Sequence, residues 1–255
     1  MSLAIRQVGD GVPVVFLHGF MGDGGDFEDV VSALGDGFRC VLVDLPGHGA
    51  SPLGGGVWGV ERMGRAVEDG LEGVGEAHLV GYSMGGRIAL WSATRGRRRW
   101  RSVTLVSASP GISEEKARRE RVELDRRRGA AIREGGLEAF LRGWYEMEIF
   151  AGLRERPGFE ATLARRAGGD PEVVAGLIES MSPGLQEDLW PALGEIGVPT
   201  LWVAGEEDEK YVEISRRAAA RCPDGVWEVI PGAGHSVHLE RPGLLGRQLR
   251  GFLRG

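Results

Sequence analysis

Short apolar runs bounded by glycine and proline, alternating with segments of helical period, constrain this chain more than any other feature. Val14-Val15-Phe16-Leu17, Cys40-Val41-Leu42-Val43, Ala77-His78-Leu79-Val80, Val103-Thr104-Leu105-Val106, Thr200-Leu201-Trp202-Val203 and Val226-Trp227-Glu228-Val229-Ile230 have strand length and little polarity. That is the pattern of parallel strands buried on both faces. Helix-period stretches, such as 84–94 after the third run and 212–221 after the fifth, lie between most of them. The chain therefore reads as an α/β protein with a mostly parallel, doubly wound sheet, and right-handed crossovers limit its topology.

One stretch breaks the rhythm. Residues 113–183 hold no convincing strand, only charged, helix-forming sequence with apolar spacing at Leu137, Phe140, Leu141 and Trp144. We expect a helical cap inserted there in a single domain spanning 1–255, because no internal repeat or low-complexity linker marks a second one. The formal charge of −6 argues against a nucleic-acid partner, whose phosphates demand cations. No stretch approaches 18 apolar residues and the start, Met1-Ser2-Leu3-Ala4-Ile5-Arg6, lacks a basic leader. These features lead us to expect a cytoplasmic chain without a membrane partner, a monomer or small homo-oligomer. Cys40 and Cys222 lack metal-ligand spacing and read as reduced structural thiols. The basic run Arg95-Gly96-Arg97-Arg98-Arg99-Trp100-Arg101 falls where a helix should end, so it reads as a solvated helix terminus.

Chemistry is legible first at Gly81-Tyr82-Ser83-Met84-Gly85, which follows an apolar strand and opens a helix. Small residues around a serine in that context make a nucleophile elbow, a tight strand-to-helix turn that presents the hydroxyl. The partners expected of it come in the order serine, acid, histidine, each past a later strand. Residues 200–204 run into Gly205-Glu206-Glu207-Asp208-Glu209-Lys210, and 226–230 into Pro231-Gly232-Ala233-Gly234-His235. His235 is the candidate base; Asp208, at the usual distance past its strand, is preferred to Glu206 and Glu207 as the acid that orients it. An oxyanion hole would use the backbone N–H of Met84 and that of Phe20, in the His18-Gly19-Phe20 loop after the first strand. His18, His48, His78 and His238 read as structural.

Together these residues resemble the α/β-hydrolase superfamily over nearly the whole chain. Further motifs are Val43-Asp44-Leu45-Pro46-Gly47-His48-Gly49, Gly85-Gly86-Arg87-Ile88-Ala89-Leu90 after the serine, Trp144-Tyr145, Asp208-Glu209-Lys210-Tyr211, and Gly234-His235-Ser236-Val237-His238-Leu239-Glu240. With them the chain resembles the 2-succinyl-6-hydroxy-2,4-cyclohexadiene-1-carboxylate synthase family of menaquinone biosynthesis. The resemblance implies a lyase that eliminates pyruvate from 2-succinyl-5-enolpyruvyl-6-hydroxy-3-cyclohexene-1-carboxylate, with the triad as base and no cofactor or metal. A small polycarboxylate substrate calls for arginines, which form forked pairs with carboxylates. Arg87 stands one helical turn after Ser83, and Arg121 and Arg166 match arginines of the family's pocket; Arg165 would serve in place of Arg166 after a one-residue shift. Tyr82 and Trp144 are candidate pocket walls, with core or cap packing as the other reading. Where the family has Gln and Pro after Trp-Tyr, this chain has Glu146-Met147-Glu148, which sets extra negative charge beside the expected polyanion site.

Two other readings use the same residues. A serine hydrolase, an esterase or thioesterase, would acylate Ser83 and predicts an apolar cap pocket. A non-catalytic binding protein would be expected to lack a triad member, and none is missing here.

Overall fold

In the computed structural model, which describes residues 2–255, seven strands form one sheet in the order β1-β3-β2-β4-β5-β6-β7. Met1, part of the start read above for a leader, lies outside the described residues. The strands are β1 (Ile5–Val8), β2 (Gly11–Leu17), β3 (Gly37–Val43), β4 (Ala77–Tyr82), β5 (Trp100–Val106), β6 (Thr200–Gly205) and β7 (Gly225–Ile230). Six are parallel, and β1, which the apolar pattern did not reveal because three of its four residues are exposed, pairs antiparallel with β3 at one edge.

The helices are α1 (Glu28–Leu34), α2 (Val60–Gly70), α3 (Met84–Arg95), α4 (Glu115–Gly135), α5 (Leu137–Tyr145), α6 (Ala151–Arg154), α7 (Phe159–Ala167), α8 (Pro171–Ser180), α9 (Glu209–Ala219), α10 (Val237–Glu240) and α11 (Pro242–Leu253). Successive strand side chains point to opposite faces, so both faces of a central strand must be covered. Val15 and Leu17 of β2 join Val41 and Val43 of β3 in one core with α2, α3 and α9. Val14 and Phe16 join Cys40 and Leu42 in a second core with α1 and α11. Both cysteines are free thiols, and burial pushes the Cys40 thiol up to about 11, which keeps it unreactive.

At β7 the expectation of burial fails. It is parallel to β6 but forms the edge, and Val226 and Trp227 are 46% and 41% exposed. An apolar run alone does not distinguish a central strand from an edge strand, whose outer face has no neighbouring element.

Helices α4 to α8 all lie between β5 and β6 and have their own core of Ile132, Leu137, Leu141, Tyr145, Phe150, Leu163 and Ile178. Leu137 and Leu141 are buried, whereas Phe140 and Trp144 are half-buried. α4 shows little burial along its 21 residues beyond Asp125, Gly129 and Ile132, so its polar sequence reflects a helix that packs one side on α8 and α5 and leaves the rest to solvent. Among the described residues no helix is long and apolar enough to cross a membrane.

Three of the five arginines in the basic run at the end of α3 are held by partners. Arg95 pairs with Glu187 and Glu195, Arg97 with Asp69, and Arg98 donates to the carbonyls of Leu71 and Gly75.

Candidate active site

The carboxyl ends of the parallel strands carry the residues that the motifs singled out. Ser83, between β4 and α3, has φ +49, a left-handed conformation that costs a non-glycine residue of order 1–3 kcal/mol. Its neighbours make room for it. A Cβ on Gly85 would overlap the carbonyl oxygens of Leu17 and His18, and one on Gly81 would overlap the carbonyl of Gly85. The glycines thus let the first turn of α3 lie directly against the end of β2.

His235 follows β7 and Asp208 follows β6. His235 Nε2 lies 3.2 Å from Ser83 Oγ, and His235 Nδ1 lies 2.6 Å from Asp208 Oδ2. The longer first contact suits a resting site, where such hydrogen bonds tighten only with substrate in place. Asp208 is buried, while Glu206 and Glu207 are exposed, and Glu206 is occupied by the Gly232 N–H. A second function holds Asp208 in place: its Oδ1 accepts the Tyr211 N–H at 3.4 Å and caps α9.

Neither the Phe20 N–H nor the Met84 N–H donates to any backbone or side-chain acceptor among the described residues. Met84 is the first residue of α3, where N–H groups lack intrahelical partners and the helix dipole is positive.

A cavity of about 510 Å³ opens above these groups. It is lined by Phe20, Tyr82, Ser83, Met84, Asp208 and His235 from the sheet domain and by Arg121, Arg128, Trp144 and Phe150 from the helical segment. All five proposed binding residues, Tyr82, Arg87, Arg121, Trp144 and Arg166, face it. Arg87, Arg121, Arg128, Arg166 and Lys210 supply five cations against two carboxylates, Asp125 and Asp208.

The cations differ in what already satisfies them. Arg87 is 9% exposed; Nη1 donates to Gln186 Oε1 at 3.1 Å and Nη2 to the Met181 carbonyl at 2.9 Å. No carboxylate lies within ion-pair distance of it among the described residues, and burial, with the nearby Arg121 cation, lowers it to about 10. Arg121 uses only Nε, on Asp125 at 2.7 Å, which leaves its outer fork open. Arg128 reaches the other Asp125 oxygen at 2.9 Å and stacks over Trp144 at 4.8 Å. Arg166 is already neutralised by Asp26 at 2.7 Å and also donates to the Tyr145 hydroxyl. Although burial by itself would raise the Asp26 carboxyl, Arg166 and its neighbours hold it below the usual range. Arg165 instead pairs with Asp23 and Asp26 and does not line this cavity.

The departure at Glu146-Met147-Glu148 has a different effect from the one expected. Both glutamates are exposed and outside the cavity wall, and Met147 alone of the three lines it. In the turn after α5, adjacent residues point in different directions, which linear proximity cannot show.

His18, 0% exposed, bridges the Gly19 carbonyl and the Leu45 N–H, and burial lowers it. Burial likewise lowers His48 and His238 to about 3 and His78 to about 4, so these rings stay neutral.

Sequence reasoning quoted Lys210 and Tyr211 only as part of the motif at the acid, without a role, and passed over Arg128 and Gln186. A signal existed for Arg128. Asp125 and Arg128 lie four and seven residues after Arg121, on one face of α4. Tyr211, half-buried with its hydroxyl pushed up by desolvation, packs its ring 4.7 Å from that of His235. Gln186 lies in a loop and had no local signal.

A family model described as the alpha/beta hydrolase family matches residues 14–247. The chain is 33% identical over 273 residues to protein PHYLLO, chloroplastic, of Arabidopsis thaliana; 98% of the chain is covered, but only 16% of that much longer protein. It is 34% identical over 247 residues to a putative 2-succinyl-6-hydroxy-2,4-cyclohexadiene-1-carboxylate synthase of Bacillus subtilis (strain 168), covering 94% of the chain and 89% of that protein. Among solved structures, MenH from S. aureus superposes with a TM-score of 0.93 at 30% identity, covering 98% of this chain and 97% of that one.

Proposed function

The chain belongs to the alpha/beta hydrolase family, and from that premise we propose that it is a 2-succinyl-6-hydroxy-2,4-cyclohexadiene-1-carboxylate synthase, a lyase of menaquinone biosynthesis. The observation that carries this reading is Arg87. A buried guanidinium without a carboxylate partner is costly unless the site receives an anion. The open fork of Arg121, with Arg128 and Lys210 on the same cavity, suits a substrate with several carboxylates. A neutral ester would leave these charges unanswered, so the serine hydrolase reading is not favoured.

In this reading Ser83, His235 and Asp208 act as a base. Asp208 holds the His235 tautomer with Nε2 free to accept, and Nε2 takes the Ser83 proton as Ser83 Oγ removes an acidic ring proton. The carbon–hydrogen electron pair moves into the ring, the carbon–oxygen bond to the enolpyruvyl group breaks, and the departing enolate takes up the proton held on His235 to leave as pyruvate. The N–H groups of Phe20 and Met84 and the surrounding cations stabilise the negative charge that develops on the substrate. Tyr82 and Trp144 form walls of the site. The chain's own groups account for each step without a cofactor.

The test follows pyruvate release from the enolpyruvyl cyclohexene carboxylate for the parent and for Ser83→Ala, with a p-nitrophenyl ester assayed in parallel. Ser83-dependent release with poor ester cleavage is the expected result. Good ester turnover with no release above background would overturn the lyase reading.

A further inference from the structure

His235 stands in a loop, residues 231–236, that no strand pairing holds, yet its ring must meet both Asp208 and Ser83. Four ties hold the N–H groups of Gly234, His235 and Ser236 and the His235 carbonyl. Glu240 Oε2 accepts the Gly234 N–H at 2.7 Å, and Glu240 Oε1 accepts the Ser236 N–H at 2.9 Å. The Ser107 hydroxyl donates to the His235 carbonyl at 2.8 Å, and the His235 N–H donates to the Ile149 carbonyl at 3.2 Å.

Glu240 provides two of the four ties, one to the N–H of each residue flanking the histidine. It is 4% exposed and has no cation within ion-pair distance among the described residues. The adjacent Arg241 reaches the Glu240 carbonyl and not its carboxylate. A buried carboxylate is expensive when only peptide N–H groups answer it. Those two charge-assisted bonds are correspondingly stronger than neutral ones, and both act on the loop that carries the imidazole.

We infer that Glu240 is a positioning residue: by holding the N–H groups of Gly234 and Ser236, the residues on either side of His235, it sets the imidazole between Asp208 and Ser83. This rests on the triad reading but not on the identity of the substrate. Asp208 faces the ring directly, the Tyr82 and Tyr211 rings pack 5.6 and 4.7 Å from it, and neutral His238 lies on the same helix as Glu240. Glu207 and Glu240 both face Gly152 in the helical segment.

Glu240→Gln keeps the shape but leaves a single acceptor oxygen, so one flanking N–H loses its partner. With histidine-labelled protein, NMR follows the downfield Nδ1 proton of His235, while phenylmethanesulfonyl fluoride reports Ser83 reactivity without any substrate. In Glu240→Gln of unchanged melting temperature, the downfield proton should broaden through solvent exchange. Ser83 modification should slow roughly tenfold. Should that variant not fold, Gly152→Ala offers a second route, because its Cβ would displace the Glu240 carboxylate while leaving Glu240 intact. A folded variant with an unchanged resonance and unchanged Ser83 reactivity overturns the inference. So does a parent protein without an Asp208-bonded Nδ1 proton. Failure of the parent to release pyruvate would overturn only the lyase reading, since none of these readouts uses substrate.

Discussion

Asp208 grips His235 with one carboxylate oxygen, 2.6 Å from Nδ1, and caps α9 with the other through the Tyr211 N–H. Orientation of the histidine and the start of the helix are thus one arrangement. Asp208→Asn can still cap, but its amide can present the wrong hydrogen-bonding group to Nδ1. Turnover should fall by about a thousandfold or more, with a melting temperature close to the parent's. Asp208→Ala should lose activity similarly and also about 1 kcal/mol of stability with the cap. Steady-state kinetics and thermal melts of both variants decide this, and an Asn variant with near-parental turnover would remove Asp208 from the mechanism.

Arg87 represents a conflict between stability and binding. Arg87→Met fills much the same volume without a buried charge, so the free protein should melt no lower than the parent. The same change should reduce kcat/KM by about a hundredfold, the scale expected when a buried charge partner is removed. A fall in melting temperature with unaltered kcat/KM would show Arg87 to be a structural group only.

The elbow glycines make a sharper claim on stability. Gly85→Ala drives a methyl into the Leu17 and His18 carbonyls and should cost about 3 kcal/mol or more together with activity. Gly251→Ala, in the exposed interior of α11 with open space around it, should instead stabilise by roughly 0.5–1 kcal/mol. Urea denaturation of the two variants tests the pair, and equal effects would contradict the packing described at the elbow.

Acid should weaken the fold before its carboxylates titrate. His48 and His238 are held neutral by burial, with folded values of about 3 against an unfolded value near 6.5. The stabilisation from keeping them neutral is complete above about pH 6.5 and is lost as pH falls towards 3, at up to about 1.4 kcal/mol per pH unit for each. Stability measured by denaturant should therefore drop between about pH 6.5 and 5, and His48→Gln should flatten that slope. A stability that stays level across this window would show that both rings take a proton in the folded state.

Much of the architecture was readable because it depends on local patterning. Six apolar runs supplied six parallel strands, and Gly81 to Gly85 marked the turn at Ser83, since only small residues permit that close approach. β1 and the edge position of β7 were not readable, because the number of neighbours a strand acquires depends on the sheet and not on the strand. In the site, Ser83, Asp208 and His235 each follow a strand and so carried a positional signal. Gln186 and the role of Glu240 had none, because their partners are distant in the chain or are backbone groups.

The chain's own residues determined its fold class, the order of serine, acid and histidine, and the arginines available to bind anions, all of which follow from short-range periodicity and motif spacing. Tertiary structure alone decided which charges remain unanswered. It neutralised Arg166 with Asp26 and turned Glu146 and Glu148 away from the cavity. It also buried Arg87 without a carboxylate partner. Electrostatic demand at a site depends on desolvation and on the distance between groups far apart in sequence, and both come into being only when the chain is packed.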